Sequence, residues 1–393
     1  VVAAISIFAV IKSGYQVAFM APTEVLAEQH LNSLIKFLRE TDIQINFLTS
    51  SVKNRIDVMA NITEGTPGLY IGTHALIQDK IHFTNLGLVI IDEQQRFGVD
   101  QRKKLISDIE VIPDQLVMTA TPIPRTTALS IYGDLDISSI NELPPGRKKI
   151  ISHLYSGLKE DNQKVYEKCL KHLEDKSQIF VVCPYIEESD TNDIQAAEKV
   201  YLEYSKKFVN YNVVLLHGKM PYEDKEKIMN EMQNGTIDIL ISTVVIEVGI
   251  DIANATLMVI ESAERFGLNQ LHQLRGRVGR GEKQSECIFH ITNKKSLKTI
   301  SEDGVMRLRA ISSMSDGFKL SEIDLEIRGE GKVTGKSQSG RSDLKIADLR
   351  YDYDLLVQSK KIHDGIKSKE TSSQVFEEAK LLFPKYFEAD GTT

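Results

Sequence analysis

Two blocks of this chain alternate short apolar runs with longer stretches whose apolar residues recur at helical spacing. In the first block the runs are Tyr15–Ala21, Ile43–Leu48, Leu69–Gly72, Leu86–Ile91 and Gln115–Ala120, and the helical stretches are Val1–Ile11 and Glu24–Arg39. Within Glu24–Arg39, the residues Val25, Leu26, Leu31, Leu34, Ile35 and Leu38 follow a period near 3.6. In the second block Gln178–Pro184, Asn212–Leu216, Ile237–Ser242 and Thr256–Glu261 alternate with Asp193–Phe208 and Tyr222–Met232. Strands alternating with helices predict a parallel sheet covered on both faces, because parallel strands need a crossover. Such sheets take their ligands at the carboxyl ends of the strands. The fold class expected is therefore α/β, with two parallel-sheet lobes in tandem.

Between the blocks, Asn141-Glu142-Leu143-Pro144-Pro145-Gly146-Arg147 holds two prolines and a glycine, which read as a linker. The expected division is a first lobe over 1–147, a second over 148–295, and a mainly helical, charged region over 296–393. In the last region Val375, Phe376, Ala379, Leu382 and Phe383 form an apolar stripe at helical spacing, expected to pack. A content of 41% hydrophobic and 26% charged residues can build such cores and argues against disorder. The net charge of −7 argues against a wholly basic nucleic-acid binder. It leaves open a motor that holds nucleic acid through local basic groups and backbone donors. Three cysteines, none in Cys-x-x-Cys spacing, give neither a disulfide framework nor a zinc site, and a reducing cytoplasm fits. The apolar run Val1–Ile11 is too short to cross a bilayer, so no membrane partner is expected.

Several motifs fall where the strands are expected to end. Asp92-Glu93 follows Leu88-Val89-Ile90-Ile91. A carboxylate there can hold a magnesium ion that bridges nucleotide phosphates, and a neighbouring glutamate can orient and deprotonate water. Thr119-Ala120-Thr121-Pro122 ends another strand. Its hydroxyls can link Asp92-Glu93 to the second lobe, or Thr121 can cap the helix that Pro122 opens. Pro22-Thr23-Glu24 and Gly72-Thr73-His74, with Ser242-Thr243 in the second lobe, have the residue types that hold a nucleic-acid backbone without reading bases. Each reads equally as a cap. In Glu247-Val248-Gly249-Ile250-Asp251 the glycine allows close approach, while Asp251 either engages a ribose or Arg280 or is an exposed turn aspartate.

The densest cluster is Gln270-Leu271-His272-Gln273-Leu274-Arg275-Gly276-Arg277-Val278-Gly279-Arg280-Gly281. Its arginines match phosphate oxygens in a planar fork, and its glycines let a backbone approach a ligand. A phosphate-facing arginine cluster on a short helix and the turn after it is expected.

Taken in order, Ile90–Glu93, Met118–Pro122, Ile246–Asp251 and the arginine cluster resemble the motor motifs of superfamily 2 helicases. Together with Glu142–Arg147 and Cys183-Pro184-Tyr185-Ile186-Glu187-Glu188-Ser189 they resemble the RecG family of branch-migration DNA helicases along nearly the whole chain. The related transcription-repair coupling translocase shares the motor motifs but usually differs at those two segments. The stretch from Asp316-Gly317-Phe318 through Arg328 to Gln338-Ser339-Gly340 resembles the translocation motif of both families, a helical hairpin and loop acting on duplex DNA.

The resemblance implies two RecA-like lobes that hydrolyse ATP with magnesium. It gives Asp92 to the metal, Glu93 to the water, and Arg277 and Arg280 to the nucleotide from across the cleft. Thr119, Thr121, Gly249, Asp251 and Gln273 would order the nucleotide surface. Pro22, Thr23, Gly72, Thr73, His74, Thr243, Arg328 and Gln338 would meet DNA. Branched duplex DNA is the implied partner, with single-stranded-DNA-binding protein a second, and a cytoplasmic monomer the implied state.

The chain departs from the family at three places. The family's Gly-x-x-x-x-Gly-Lys-Thr loop would stand immediately before Val1, so the chain by itself is expected to be a poor ATPase. Gln95 stands where the family usually has histidine, and Glu330, Lys332, Val333, Thr334, Lys336 and Ser337 replace a proline-containing loop. Two alternatives remain: the motor module of a coupling translocase, or a catalytically dead DNA-binding remnant.

Overall fold

In the computed structural model the described residues are 1–49, 55–78, 81–93, 97, 112–119, 138, 140, 148–184, 190–243, 252–291, 295–328, 358, 359, 362, 377, 378 and 381. The chain divides into two compact units. One comprises Val1–Pro122 and Leu143–Gly317, and the other Ile123–Glu142 and Phe318–Thr393. The first contains two separate parallel sheets.

The first sheet has five strands: β1 (Gln16–Met20), β2 (Ile45–Leu48), β3 (Gly68–Gly72), β4 (Leu86–Asp92) and β5 (Asp114–Met118), in the order β2-β3-β1-β4-β5. Its helices are α1 (Val2–Lys12), α2 (Glu24–Leu38) and α3 (Arg55–Thr63). The two-residue period of β1 sends Val17 and Phe19 to one face and Ala18 and Met20 to the other. Both faces are covered. Ala4, Ile7 and Ile11 of α1, with Ala27, Leu34 and Leu38 of α2, share a core with Val17, Phe19, Leu88 and Ile90. Ile62 of α3 and Leu76 share the other with Ala18, Met20, Tyr70 and Ile91. Each Val, Leu, Ile, Phe or Met among them contributes about 1.5–3 kcal/mol by leaving water.

The second sheet has six strands: β6 (Ile151–Tyr155), β7 (Gln178–Val182), β8 (Val213–Leu216), β9 (Ile239–Ser242), β10 (Ala255–Glu261) and β11 (Glu286–His290). Their order is β6-β11-β10-β7-β9-β8. Five helices of the first unit accompany them: α4 (Lys159–Glu174), α5 (Asp190–Lys207), α6 (Tyr222–Gln233), α7 (Leu268–Arg275) and α8 (Glu302–Ser313). Val165, Cys169 and Leu173 of α4 and Ala197 and Tyr204 of α5 bury Ile179, Val181, Ile241 and Val259. At the amino end of β11, Glu286 accepts from Lys168 at 2.5 Å and His153 at 2.7 Å, with His172 at 3.6 Å. His172, then Lys168 and His153, hold its carboxyl well below the usual range. α9 (Gly317–Arg328) is the described helix of the second unit, which it enters at Phe318.

The architecture agrees with the α/β, two-sheet expectation, and most boundaries move by one or two residues, the ordinary scatter of helix and strand ends. Four elements in the first unit were not anticipated: α3, β6, α4 and β11. α4 buries Cys169 and His172 within its inner face, so its stripe looks thin when only aliphatic residues are followed. β6 is an edge strand with a half-exposed sequence, which weakens the alternation. The linker 141–147 and all five residues of the 375–383 stripe lie outside the described residues.

Candidate nucleotide and nucleic-acid site

In the first sheet the chain leaves β1 toward β2 and leaves β4 toward β5, on opposite sides of the adjacent pair β1–β4. The carboxyl ends of β1 and β4 therefore flank a topological switch point, where open α/β sheets form a ligand crevice. Asp92 is the last residue of β4. Glu93 follows in the left-handed region with φ of 50°. For a residue with a side chain that conformation costs about 1–2 kcal/mol. It is held in place: the Glu93 N–H donates to the Met118 carbonyl and to Asp92 Oδ1, each at 3.0 Å. The turn thereby ties the end of β4 to the end of β5. Strain kept in this way is characteristic of functional positions.

Asp92 Oδ2 accepts a hydrogen bond from His30 Nε2 at 2.7 Å. His30 lies on α2, its ring 4.8 Å from that of Phe19 on β1. The Asp92 carboxyl is 17% exposed, recessed but reachable. A hard oxygen donor of this kind fits magnesium, which commonly takes one or two protein carboxylates and fills its octahedron with water and phosphate. Among the described residues no cluster of three or more His, Cys, Asp or Glu could hold a metal by itself. Asp92 would have to share the ion with a nucleotide.

At the end of β1, Pro22 and Thr23 lead into α2, and the Thr23 hydroxyl caps that helix by accepting from the Leu26 N–H at 3.3 Å. Thr73 is buried and precedes a short 3₁₀ turn, His74–Ile77. His74 is exposed, with its ring 5.0 Å from Phe97. A Cβ on Gly72 would collide with the Leu48 carbonyl, so packing of β3 on β2 is sufficient reason for that glycine. Thr119 is exposed one residue beyond β5.

In the second sheet Thr243 follows β9 and is buried. The adjacent Ser242 hydroxyl and, one residue beyond β8, His217 Nδ1 are buried without a hydrogen-bond partner. Because Leu216 pairs with Ser242, these two orphaned groups belong to neighbouring strand ends. Buried polar atoms are rarely left so without a ligand or water to satisfy them.

Beyond β10, Ser262 adopts φ of 52° and the chain enters α7, whose first turn is closed by Gln270 accepting from the Gly267 N–H at 3.2 Å. Gln273 and Arg277 are half-buried and Arg280 is exposed. Gly279 has φ of +82°, and a Cβ there would press on Ile150. The tight turn between Arg277 and Arg280 thus needs glycine twice over. Arg275 corrects the expectation of three phosphate-facing arginines. It is only 4% exposed. Its Nη1 donates to the carbonyls of Ile311 at 2.8 Å and Met314 at 2.6 Å, and its Nη2 to His272 Nδ1 at 2.9 Å. Burial, then the neighbouring Arg275 charge, pulls the His272 pKa down to about 4, so the ring is neutral and able to accept. Arg275 thus fastens α7 to the carboxyl end of α8.

Thr121, Gly249, Asp251 and Gln338, and the departures at Gln95 and 330–337, lie outside the described residues. Arg328 ends α9. The structure joins Asp92, Glu93 and the end of β5, and Pro22 and Thr23 follow β1, the strand paired with β4. His30 was the residue missed, and Arg275 was seen but given the wrong direction. For His30 a signal existed: it interrupts the buried stripe Ala27, Leu34, Leu38 at helical spacing, where a polar residue needs a buried partner.

Three family models match in succession: DEAD/DEAH box helicase over residues 1–129, Helicase conserved C-terminal domain over 161–282, and ATP-dependent DNA helicase RecG, domain 3, C-terminal, over 314–388. The chain is 46% identical over 392 residues to the ATP-dependent DNA helicase RecG of Aquifex aeolicus, covering 98% of the chain and 49% of that protein. It is 48% identical over 356 residues to RecG of Bacillus subtilis, covering 90% of the chain and 51% of that protein. A solved structure of RecG bound to a three-way DNA junction superposes with a TM-score of 0.69 at 39% identity, over 90% of this chain and 45% of that one. A Mycobacterium smegmatis helicase Lhr bound to single-stranded DNA and AMP-PNP superposes at 0.55 with 14% identity over 77% of this chain and 42% of that one, a likeness of fold alone. The chain spans about half the length of the curated relatives it matches. A carboxylate pair at a strained strand end, an arginine-bearing glycine turn and these matches lead to one assignment: the chain belongs to the RecG family of helicases.

Proposed function

We propose that this chain is the motor portion of an ATP-dependent DNA helicase that remodels branched DNA, such as stalled forks and Holliday junctions. The single observation that carries the reading is the Asp92–Glu93 turn, strained and locked at the switch point of the first sheet. Its motor is the lobe of residues 1–147 working with that of 148–295, and residues 296–393 pass the movement to duplex DNA. When bound, a magnesium ion on Asp92 neutralises charge developing on the phosphates of ATP. Glu93 orients the attacking water and takes its proton. Arg277 and Arg280 engage the phosphoryl group from the second lobe as it transfers, with Gln273, Thr119, Thr121, Gly249 and Asp251 ordering the surface around the nucleotide.

The DNA backbone runs past the strand ends bearing Pro22, Thr23, Gly72, Thr73, His74 and Thr243, and is met by Arg328 and Gln338. The orphaned Ser242 hydroxyl and His217 ring support that path, since phosphate or its water would satisfy both. Recognition is of shape, because the candidate contacts are to backbone and not to base edges. The proposed setting is the cytoplasm, with the protein working as a monomer beside single-stranded-DNA-binding protein; among the described residues no helix is long and apolar enough to cross a membrane. RecG solved on a three-way junction supports this choice of substrate.

The test uses a longer parent protein in which this chain is joined to a preceding Gly-x-x-x-x-Gly-Lys-Thr phosphate-binding loop. It should bind a three-way junction at least about tenfold more tightly than linear duplex, ~1.4 kcal/mol, and unwind it only with hydrolysable ATP. Equal affinity for linear duplex, or unwinding without hydrolysis, contradicts the reading.

A further inference from the structure

We propose that His30 is a positioning residue for the metal carboxylate: its Nε2–H fixes the orientation of Asp92 so that the remaining lone pairs of that carboxylate face the divalent cation. The inference rests on the magnesium reading of Asp92. An ionised carboxylate only accepts hydrogen bonds, so at 2.7 Å the proton of the His30–Asp92 pair sits on Nε2. The two Asp92 oxygens are thus held separately, Oδ1 by the Glu93 N–H at 3.0 Å and Oδ2 by His30. Two fixed donors define the plane of the carboxylate, which a strand end alone leaves free to rotate about its side-chain torsions.

His30 is itself restrained. Its ring lies 4.8 Å from Phe19 at an interplanar angle of 47°, and its side chain is 28% exposed. It stands on α2, between Ala27 and Leu34, which are buried in the core beneath. A hydrogen-bonded partner of a metal ligand typically changes metal affinity by about 10–100-fold when removed. The role concerns orientation only: His30 acts through Asp92 and is assigned no contact with ion or nucleotide.

The test titrates the longer parent protein, saturated with the non-hydrolysable analogue AMP-PNP, with Mn²⁺, reading the protein-bound ion by electron paramagnetic resonance. Asp92→Asn should abolish the site. His30→Ala should weaken it about tenfold. His30→Gln, which places an amide N–H near the position of Nε2, should recover most of that loss. Circular dichroism confirms that each variant is folded, and heat unfolding separates a loss of stability from a loss of affinity. Asp92-dependent binding that is indifferent to His30→Ala overturns the proposal and leaves the metal reading intact. Failure of the Gln variant to recover affinity, in a chain as stable as the original, also overturns it. Mn²⁺ binding that does not depend on Asp92, or none, overturns both.

Discussion

Replacing Asp92 by Asn, or Arg280 by Ala, should lower junction-stimulated ATP turnover of the parent protein by about 10³-fold. Arginines supplied to a transferring phosphoryl group are worth about 10³–10⁵ in rate, or some 4–7 kcal/mol of barrier. The effect should fall on kcat with little change in junction affinity, because the interaction grows only as charge develops on the transferring group. Arg280→Lys should not restore the rate, since a lysine ammonium cannot reproduce the planar fork. Steady-state turnover at saturating junction, with separate measurement of junction binding, checks this. A tenfold loss or less for Arg280→Ala would mean that its side chain lies outside the reacting site. Being exposed, Arg280 should cost no more than about 0.5 kcal/mol of stability when truncated, so the kinetic loss cannot be mistaken for unfolding.

The second large effect concerns the buried arginine, Arg275. Arg275→Ala should destabilise the first unit by about 3 kcal/mol in urea unfolding, because it strands the carbonyls of Ile311 and Met314 at the end of α8. A cation there also opposes the negative end of the α8 dipole. Arg275→Lys should recover part of the loss, keeping one charge but not two directed donors. Amide exchange should quicken in α8 and in the turn Arg277–Arg280 together, since one side chain fastens both. A loss below about 1 kcal/mol would show that those carbonyls find other donors. The contrast with Arg280 is sharp: neighbouring arginines in one motif, one expected to act on rate and the other on stability.

How much of this could be read from residue order varies with the physical origin of each feature. Strands β1, β4, β7 and β10 were legible because both faces are buried, which leaves uninterrupted apolar runs. The start of α2 was legible from Thr23, whose hydroxyl caps the helix as its residue type predicts. The Asp92–Glu93 site was legible in place but not in shape. The left-handed turn at Glu93 is imposed by a carbonyl on β5, a tertiary contact that no local propensity encodes. Arg275 was illegible for the same reason. Spacing alone cannot distinguish an arginine aimed at phosphate from one turned inward on helix carbonyls, and the deciding partners stand 36 and 39 residues away. His30 sits 62 residues from Asp92, so only the break in its helix's apolar stripe hinted that it had a buried partner.

In the proposed motor the carboxylates closing β4 and the arginines following α7 act on one ATP, and this joint action can be seen directly. It is tested most directly by a structure of the parent protein with ADP, beryllium fluoride, Mg²⁺ and a three-way junction. The ion should lie on Asp92, a water between Glu93 and the fluoride group, and guanidinium nitrogens of Arg277 and Arg280 at about 3 Å from that group. Nucleotide held with both arginines facing solvent and another residue in their place would contradict it.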